Sequence, residues 1–283
     1  MARRPKQSAD EVRQRILQHC QTLRVPLDAA ELDALLGRAE RERFSHLELV
    51  EHLLAAPARR RRERSTELRI QNAKFREAVT LETFDWKFNA QFLDRAQIEE
   101  LATGDFIRRC DNLVFVGQSG LGKSHVIQAV GRRCCAAGYR VRYITSADLL
   151  RDLGTSLADG TMPRRVRYYA GFELLIIDEF GFDKLERDDH RQAPSLLYKV
   201  IDSRTRKRST ALVTNIDFEA WGDYLGDPPM AMALLDRVVD GAIIHKFQGK
   251  SYRAHRAKRG PAGKPPAAVA AAGKEPALSA EQC

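Results

Sequence analysis

Gly117, Gln118, Ser119, Gly120, Leu121, Gly122, Lys123 and Ser124 follow the pattern G-x-x-x-x-G-K-[ST]. Each position has a chemical reason. Glycines let the backbone turn tightly and aim its N–H groups at phosphate oxygens. Lys123 brings a cation to the outer phosphates, and Ser124 offers a hydroxyl to a magnesium ion. Two carboxylates, Asp178 and Glu179, follow the apolar run Leu174, Leu175, Ile176, Ile177. Asp178 is suited to holding the magnesium shell, directly or through water, and Glu179 to polarising an attacking water. Asn215 ends a further apolar run, where it either orients that water and the γ-phosphate or simply caps a strand. The chemistry these residues suit together is binding of ATP with Mg2+, and its hydrolysis.

Such groups need rigid elements to position them. Residues 113–116 read as a strand entering the phosphate loop. The helix leaving the loop carries Val126, Ile127 and Val130 and ends near Gly138. Its positive dipole end adds to anion binding. Further strands are expected at 141–144, 174–177, 211–213 and 242–245, with helices between them. That alternation predicts an α/β fold, a parallel sheet covered on both faces. Asp178 and Glu179 then fall at a strand's C-terminal end, where ligands bind such sheets.

Outside this region, residues 1–57 read as a small helical module for docking a partner or DNA. Ser45 and Glu48 form a capping box, Phe44 and Leu49 fit a hydrophobic staple, and Pro57 is expected to stop that helix. Residues 58–80 form a basic linker carrying Arg59, Arg60, Arg61, Arg62 and Arg64, which is either a phosphate-neutralising stretch or a solvated linker. Residues 81–257 form the catalytic domain. It opens with an aromatic segment at 81–88, a possible docking strap whose rings fit packing better than base stacking. Residues 258–283, rich in Ala, Pro and Gly, read as a disordered tail. The net charge of +9 and pI of about 9.5 favour an anionic partner such as nucleic acid. The five scattered cysteines fit a reducing cytoplasm better than a disulfide framework, and no apolar stretch is long enough for a membrane span. Arg204, Arg206, Lys207 and Arg208 form a basic cluster, read as a subunit or DNA contact or as a solvated loop.

The segments LETFDWKFN (81–89), LATGDFIRRCDNLVFVGQSGLGKSH (101–125), LLIIDEFGF (174–182), ALVTN (211–215), LLDRVVDGA (234–242) and GKSYR (249–253) together resemble an AAA+ ATPase. The match is nearest to the IstB-like transposition helper ATPases, relatives of the DnaC helicase loaders. It covers most of residues 80–255. The phosphate loop is shared by many NTPases, whereas LETFDW, His125 after the loop, LLDR and G-x-SYR are more specific.

The resemblance implies a P-loop NTPase fold of AAA+ type and places His125 beside the nucleotide. It implies a homo-oligomer, a ring or filament, on duplex DNA without sequence reading, working with a transposase. A replicative helicase loader is the alternative. Arg237 of LLDR matches an arginine finger reaching a neighbour's γ-phosphate, or else makes a helix-surface salt bridge. The chain departs from the family pattern in several places. Glu179 stands where Asp is frequent, Val213-Thr214-Asn215 where Thr-Ser-Asn is frequent, and VVDGA where histidines usually follow LLDR. No lid domain fits after Arg253, so no second sensor arginine is expected from one.

Overall fold

In a computed structural model, residues 8–182 and 192–258 are described. Of the tail predicted over 258–283, all but Lys258 lies outside the described residues. The chain begins with α1 (Ala9–Thr22), α2 (Ala29–Glu42) and the long α3 (His46–Ala73), followed by the short α4 (Arg95–Leu101) and α5 (Asp105–Arg109). Then come β1 (Leu113–Val116), α6 (Lys123–Ala136), β2 (Val141–Thr145), α7 (Ser146–Ala158), α8 (Met162–Ala170) and β3 (Leu174–Phe180). The last part holds α9 (Ala193–Arg204), β4 (Ser209–Thr214), α10 (Trp221–Leu225), α11 (Pro228–Val239), β5 (Ile243–Lys246) and α12 (Tyr252–Lys258).

The five strands pair in parallel in the order β2-β3-β4-β1-β5. This is the α/β arrangement expected from the sequence, and the strands fall where they were read. Parallel strands need both faces covered, which explains their near-continuous apolar runs. Leu113, Phe115, Tyr143, Ile176 and Val213 pack on one face with α4, α5 and α6. Val114, Val116, Leu175, Ile177 and Leu212 pack on the other with α7, α9 and α11. Because β4 lies between β1 and β3, the C-terminal ends of three adjacent strands carry Gly117, Asn215 and the Asp178–Glu179 pair.

Two expectations fail. Pro57 does not stop its helix. The capping box forms, with Glu48 N–H donating to Ser45 Oγ and Ser45 N–H to Glu48 Oε2. The helix then continues through Pro57 and the arginine run to Ala73. A helix-interior proline costs about 3 kcal/mol, but α3 is held by contacts along the stretch that follows it. Arg60 pairs with Glu31 of α2 and donates to Pro26 O. Further on, Arg69 Nε donates to Cys135 O of α6 at 2.8 Å, and Ala73 is buried. The boundary drawn at 57/58 therefore falls inside one continuous helix.

Arg204 also leaves the surface cluster to which it was assigned. It is fully buried, with its guanidinium donating to Thr210 Oγ1, Tyr169 O, Phe172 O and Ser209 O. Burial lowers its pKa to about 9, so it stays charged at neutral pH. It closes the end of α9 onto the start of β4, and carbonyl dipoles take the place of a carboxylate. Arg206 and Arg208 stay at the surface, near Asp240 and Glu173. Arg204→Met should lower unfolding stability by about 3–5 kcal/mol, since it strands buried acceptors. Denaturant unfolding checks this, and a loss under about 1 kcal/mol contradicts it.

Candidate functional site

The phosphate loop joins β1 to α6, and a cleft of about 740 Å³ opens beside it. Residues 119–125 line this cleft together with Asp178, Glu179, Thr214 and Asn215. Gly117 and Gln118 sit behind it, and their carbonyls accept hydrogen bonds from Lys123 Nζ. The ammonium is thus held inside the turn where the outer phosphates of a nucleotide would lie. Burial, with Arg253 adding to it, lowers the Lys123 pKa to about 8 against the opposing pull of Asp178.

The loop is pressed from two sides. Gly122 has φ +93°, and a Cβ there would lie 2.6 Å from the Phe84 ring. Gly117 has φ +150°, and its Cβ would lie 2.2 Å from Phe247 O. Glycine is therefore required both by backbone angle and by close approach. The aromatic segment does act as a strap. Leu81 is buried, Trp86 Nε1 donates to Leu81 O, and Phe84 packs edge-on to Trp86 and to His125. His125 lines the cleft, and its Nε2 lies 3.0 Å from Thr80 O, so it ties the strap to α6. On the other side Tyr252 N–H donates to Gly120 O at 2.8 Å, fixing the start of α12 to the loop.

Asp178 is buried, and three donors converge on its carboxylate. Ser124 Oγ is at 3.2 Å, the Tyr143 hydroxyl at 2.7 Å and the Glu179 N–H at 2.7 Å. Burial and the neighbouring carboxylate both push the Tyr143 pKa up, so this phenol stays a proton donor. Ser124 and Asp178 form the kind of oxygen pair that fits a magnesium ion. Among the described residues no cluster of three or more His, Cys, Asp or Glu forms. Magnesium at a nucleotide needs none, because phosphates and water complete its shell.

Glu179 breaks the strand's alternation. The register shifts between Ile177 and Phe180, and Glu179 has φ +61°, which turns its side chain outward beside buried neighbours. Asn215 lines the cleft from β4. With its amide turned to donate, it reaches Phe180 O and Gly181 O, each at 3.1 Å. It therefore braces the loop after β3, whatever else it does. Arg237 is elsewhere. Its guanidinium pairs with Asp202 and Asp236, and its carbonyl accepts from Asn112 at the start of β1. That is the opposite end of the sheet from the phosphate loop.

Three contributors escaped the sequence reading: Tyr143, Arg76 and Arg253. Arg76 donates to Glu179 Oε2. Arg253 and Arg256 of α12 line the cleft, although no lid domain follows among the described residues. Arg253 stands in GKSYR, a segment that the sequence ties to the family resemblance without giving it a role. Arg253 thus reaches the cleft of its own chain from α12.

The lowered Lys123 pKa sets a sign. A bound phosphate favours the charged ammonium, so above about pH 8 binding must take up a proton. ATP affinity should fall roughly tenfold between about pH 7 and about pH 9. Calorimetry in two buffers of different ionisation enthalpy reads both the affinity and the proton. A pH-independent affinity contradicts the assignment.

The chain's likeness to known proteins agrees with this geometry. The family described as IstB-like ATP binding protein matches residues 18–260. The putative ATP-binding protein of insertion sequence IS5376 from Geobacillus stearothermophilus is 33% identical over 243 residues, covering 86% of this chain and 94% of that protein. The corresponding protein of insertion sequence IS21 from Pseudomonas aeruginosa is 29% identical over 222 residues, covering 78% and 82%. Among solved structures, DnaI superposes with a TM-score of 0.50 at 17% identity, over 60% of this chain and 92% of that one. AMPPCP-bound DnaA from Aquifex aeolicus superposes with a TM-score of 0.50 at 19% identity, over 66% and 55%. At these identities the structural likeness is one of fold. The family match spans most of the chain, from α1 through α12, and the protein belongs to the IstB-like ATP-binding proteins.

Proposed function

We propose that this protein is a magnesium-dependent ATPase that assembles on duplex DNA and recruits or stimulates a transposase. The observation that carries the reading is the convergence of Lys123, Ser124, Asp178, Glu179 and Asn215 on one cleft. The relatives named as insertion-sequence ATP-binding proteins point that ATPase toward transposition. In this reading Glu179 polarises the lytic water, and Ser124 and Asp178 would hold the magnesium ion. The ion supplies charge neutralisation at the transferring group. Lys123 and Arg253 orient the phosphates from either side.

The positions of the arginines support assembly in this reading. Arg237 cannot serve its own cleft from the far end of the sheet, so as a finger it acts on a neighbour. Arg59, Arg61, Arg62 and Arg64 are exposed along α3, suited to neutralising phosphates without reading bases. No helix among the described residues is long and apolar enough to cross a membrane, and a cytoplasmic site of action fits DNA as the partner. The likeness to DnaI concerns the fold and leaves a helicase loader as the alternative, with no residue here favouring it.

Glu179→Gln should keep ATP binding and lose turnover by about a hundredfold or more. Arg237→Ala should also lose turnover. Mixing the two variants on DNA should restore part of it, since an Arg237→Ala subunit keeps Glu179 and can borrow the finger of its neighbour. Full turnover by Glu179→Gln removes the water-activating role. Failure of the mixture to recover while each variant still assembles removes action in trans.

A further inference from the structure

Tyr143 stands behind the cleft yet touches its central carboxylate. It lies in β2, in register with Ile176 of β3, and is 3% exposed. Its ring packs beside Phe75, with centroids 6.1 Å apart. The residues lining the nucleotide cleft do not include it. Its hydroxyl nevertheless donates to Asp178 Oδ2 at 2.7 Å.

The two oxygens of Asp178 are thus committed in different directions. Oδ1 accepts from Ser124 Oγ, on the phosphate-loop helix, and from the Glu179 N–H. Oδ2 accepts from the phenol on β2. None of these three donors is charged. They orient the carboxylate without neutralising it, and its charge stays available to a cation.

Divalent cations differ in what they ask of such a group. Magnesium is small, demands near-octahedral geometry, and is served by one carboxylate oxygen with phosphates and water around it. Calcium is larger, takes about six to eight oxygens in a flexible shell, and readily binds both oxygens of one carboxylate.

We propose that Tyr143 is a positioning residue that makes the site select magnesium over calcium, by holding Oδ2 so that Asp178 offers the ion a single oxygen. The proposal rests on the reading of Ser124 and Asp178 as the residues that hold the ion.

A phenol on this strand suits the task. β2 is locked to β3 by parallel pairing from Val141 through Thr145, so the ring has a fixed base. If the Asp178 carboxylate rotated to chelate an ion, the hydroxyl could not follow. It would be left buried without a partner, and that cost opposes the rotation. Without the hydroxyl the cost disappears, and only Oδ1 remains anchored. Oδ2 is then free to join Oδ1 on a larger ion. An arginine at this place would hold the carboxylate as firmly but would cancel the charge the ion needs.

The test measures by calorimetry the affinity of the full chain for a non-hydrolysable ATP analogue, with magnesium, with calcium and with excess chelator. Wild type should bind more tightly with magnesium than with calcium. Tyr143→Phe removes one oxygen and should cut the advantage of magnesium over calcium on the order of tenfold, with the affinity in chelator unchanged. A hydroxyl that served packing alone would shift all three affinities together or none of them. Tyr143→Leu offers a second variant without a donor and with the same expected ratio, and a thermal melt shows whether each is folded. A magnesium-to-calcium ratio in Tyr143→Phe equal to that of wild type overturns the proposal, as does a wild type that gains equally from both ions. A wild type that gains from neither ion instead brings down the reading of Ser124 and Asp178, which separates the two failures.

Discussion

The site depends on one buried carboxylate. An unpaired charge in a protein interior is too costly to keep, so Asp178 dictates what surrounds it. Its donors come from three elements: Ser124 from the phosphate-loop helix, Tyr143 from β2, and the Glu179 N–H from the bulged end of β3. The carboxylate thus sets the distance between the phosphate loop and the strand end that presents Glu179. It also explains why β3 is irregular at its end. Turning its own next N–H back onto Asp178 accompanies the positive φ of Glu179, which aims that side chain out of the core.

Around this centre the chain closes over the phosphate loop from both ends of the domain. The strap before β1 covers Gly122 with Phe84. The segment after β5 covers Gly117 with Phe247 and then ties α12 to Gly120. The two coverings meet where Phe88 packs edge-on to Tyr252 at 5.1 Å. One result is that Arg253 enters the cleft from α12 itself. Another is that motifs distant in sequence, LETFDW and GKSYR, share one job at opposite flanks of a single loop.

How much of this was legible in the sequence depends on range. The phosphate loop and the Asp-Glu strand end are local patterns flanked by their own elements, so residue types and spacing sufficed. The sheet was legible for the same reason, since fully buried parallel strands are written as apolar runs. Tyr143 and Arg76 reach the site by long-range packing, and their local sequence carries no sign of it, while Arg253 sits in a motif whose place in the cleft spacing alone does not give. Pro57 misled because proline's local penalty is real, while the packing that overrides it comes from α2 and α6. Arg204 misled in the opposite direction. Beside Arg206, Lys207 and Arg208 it reads as surface charge, and the carbonyls of the distant Tyr169 and Phe172, with Ser209 O and Thr210 Oγ1 nearby, are what allow it to be buried.

These observations describe a cleft whose phosphate loop and β3 end are held in register by Asp178, which the proposed function makes a magnesium ligand. The most direct test is ATP affinity with magnesium and with excess chelator, in the wild type and in Asp178→Asn. The wild type should bind more tightly with magnesium, and the variant should lose that gain while keeping its magnesium-free affinity. A magnesium gain that survives in Asp178→Asn would contradict the account.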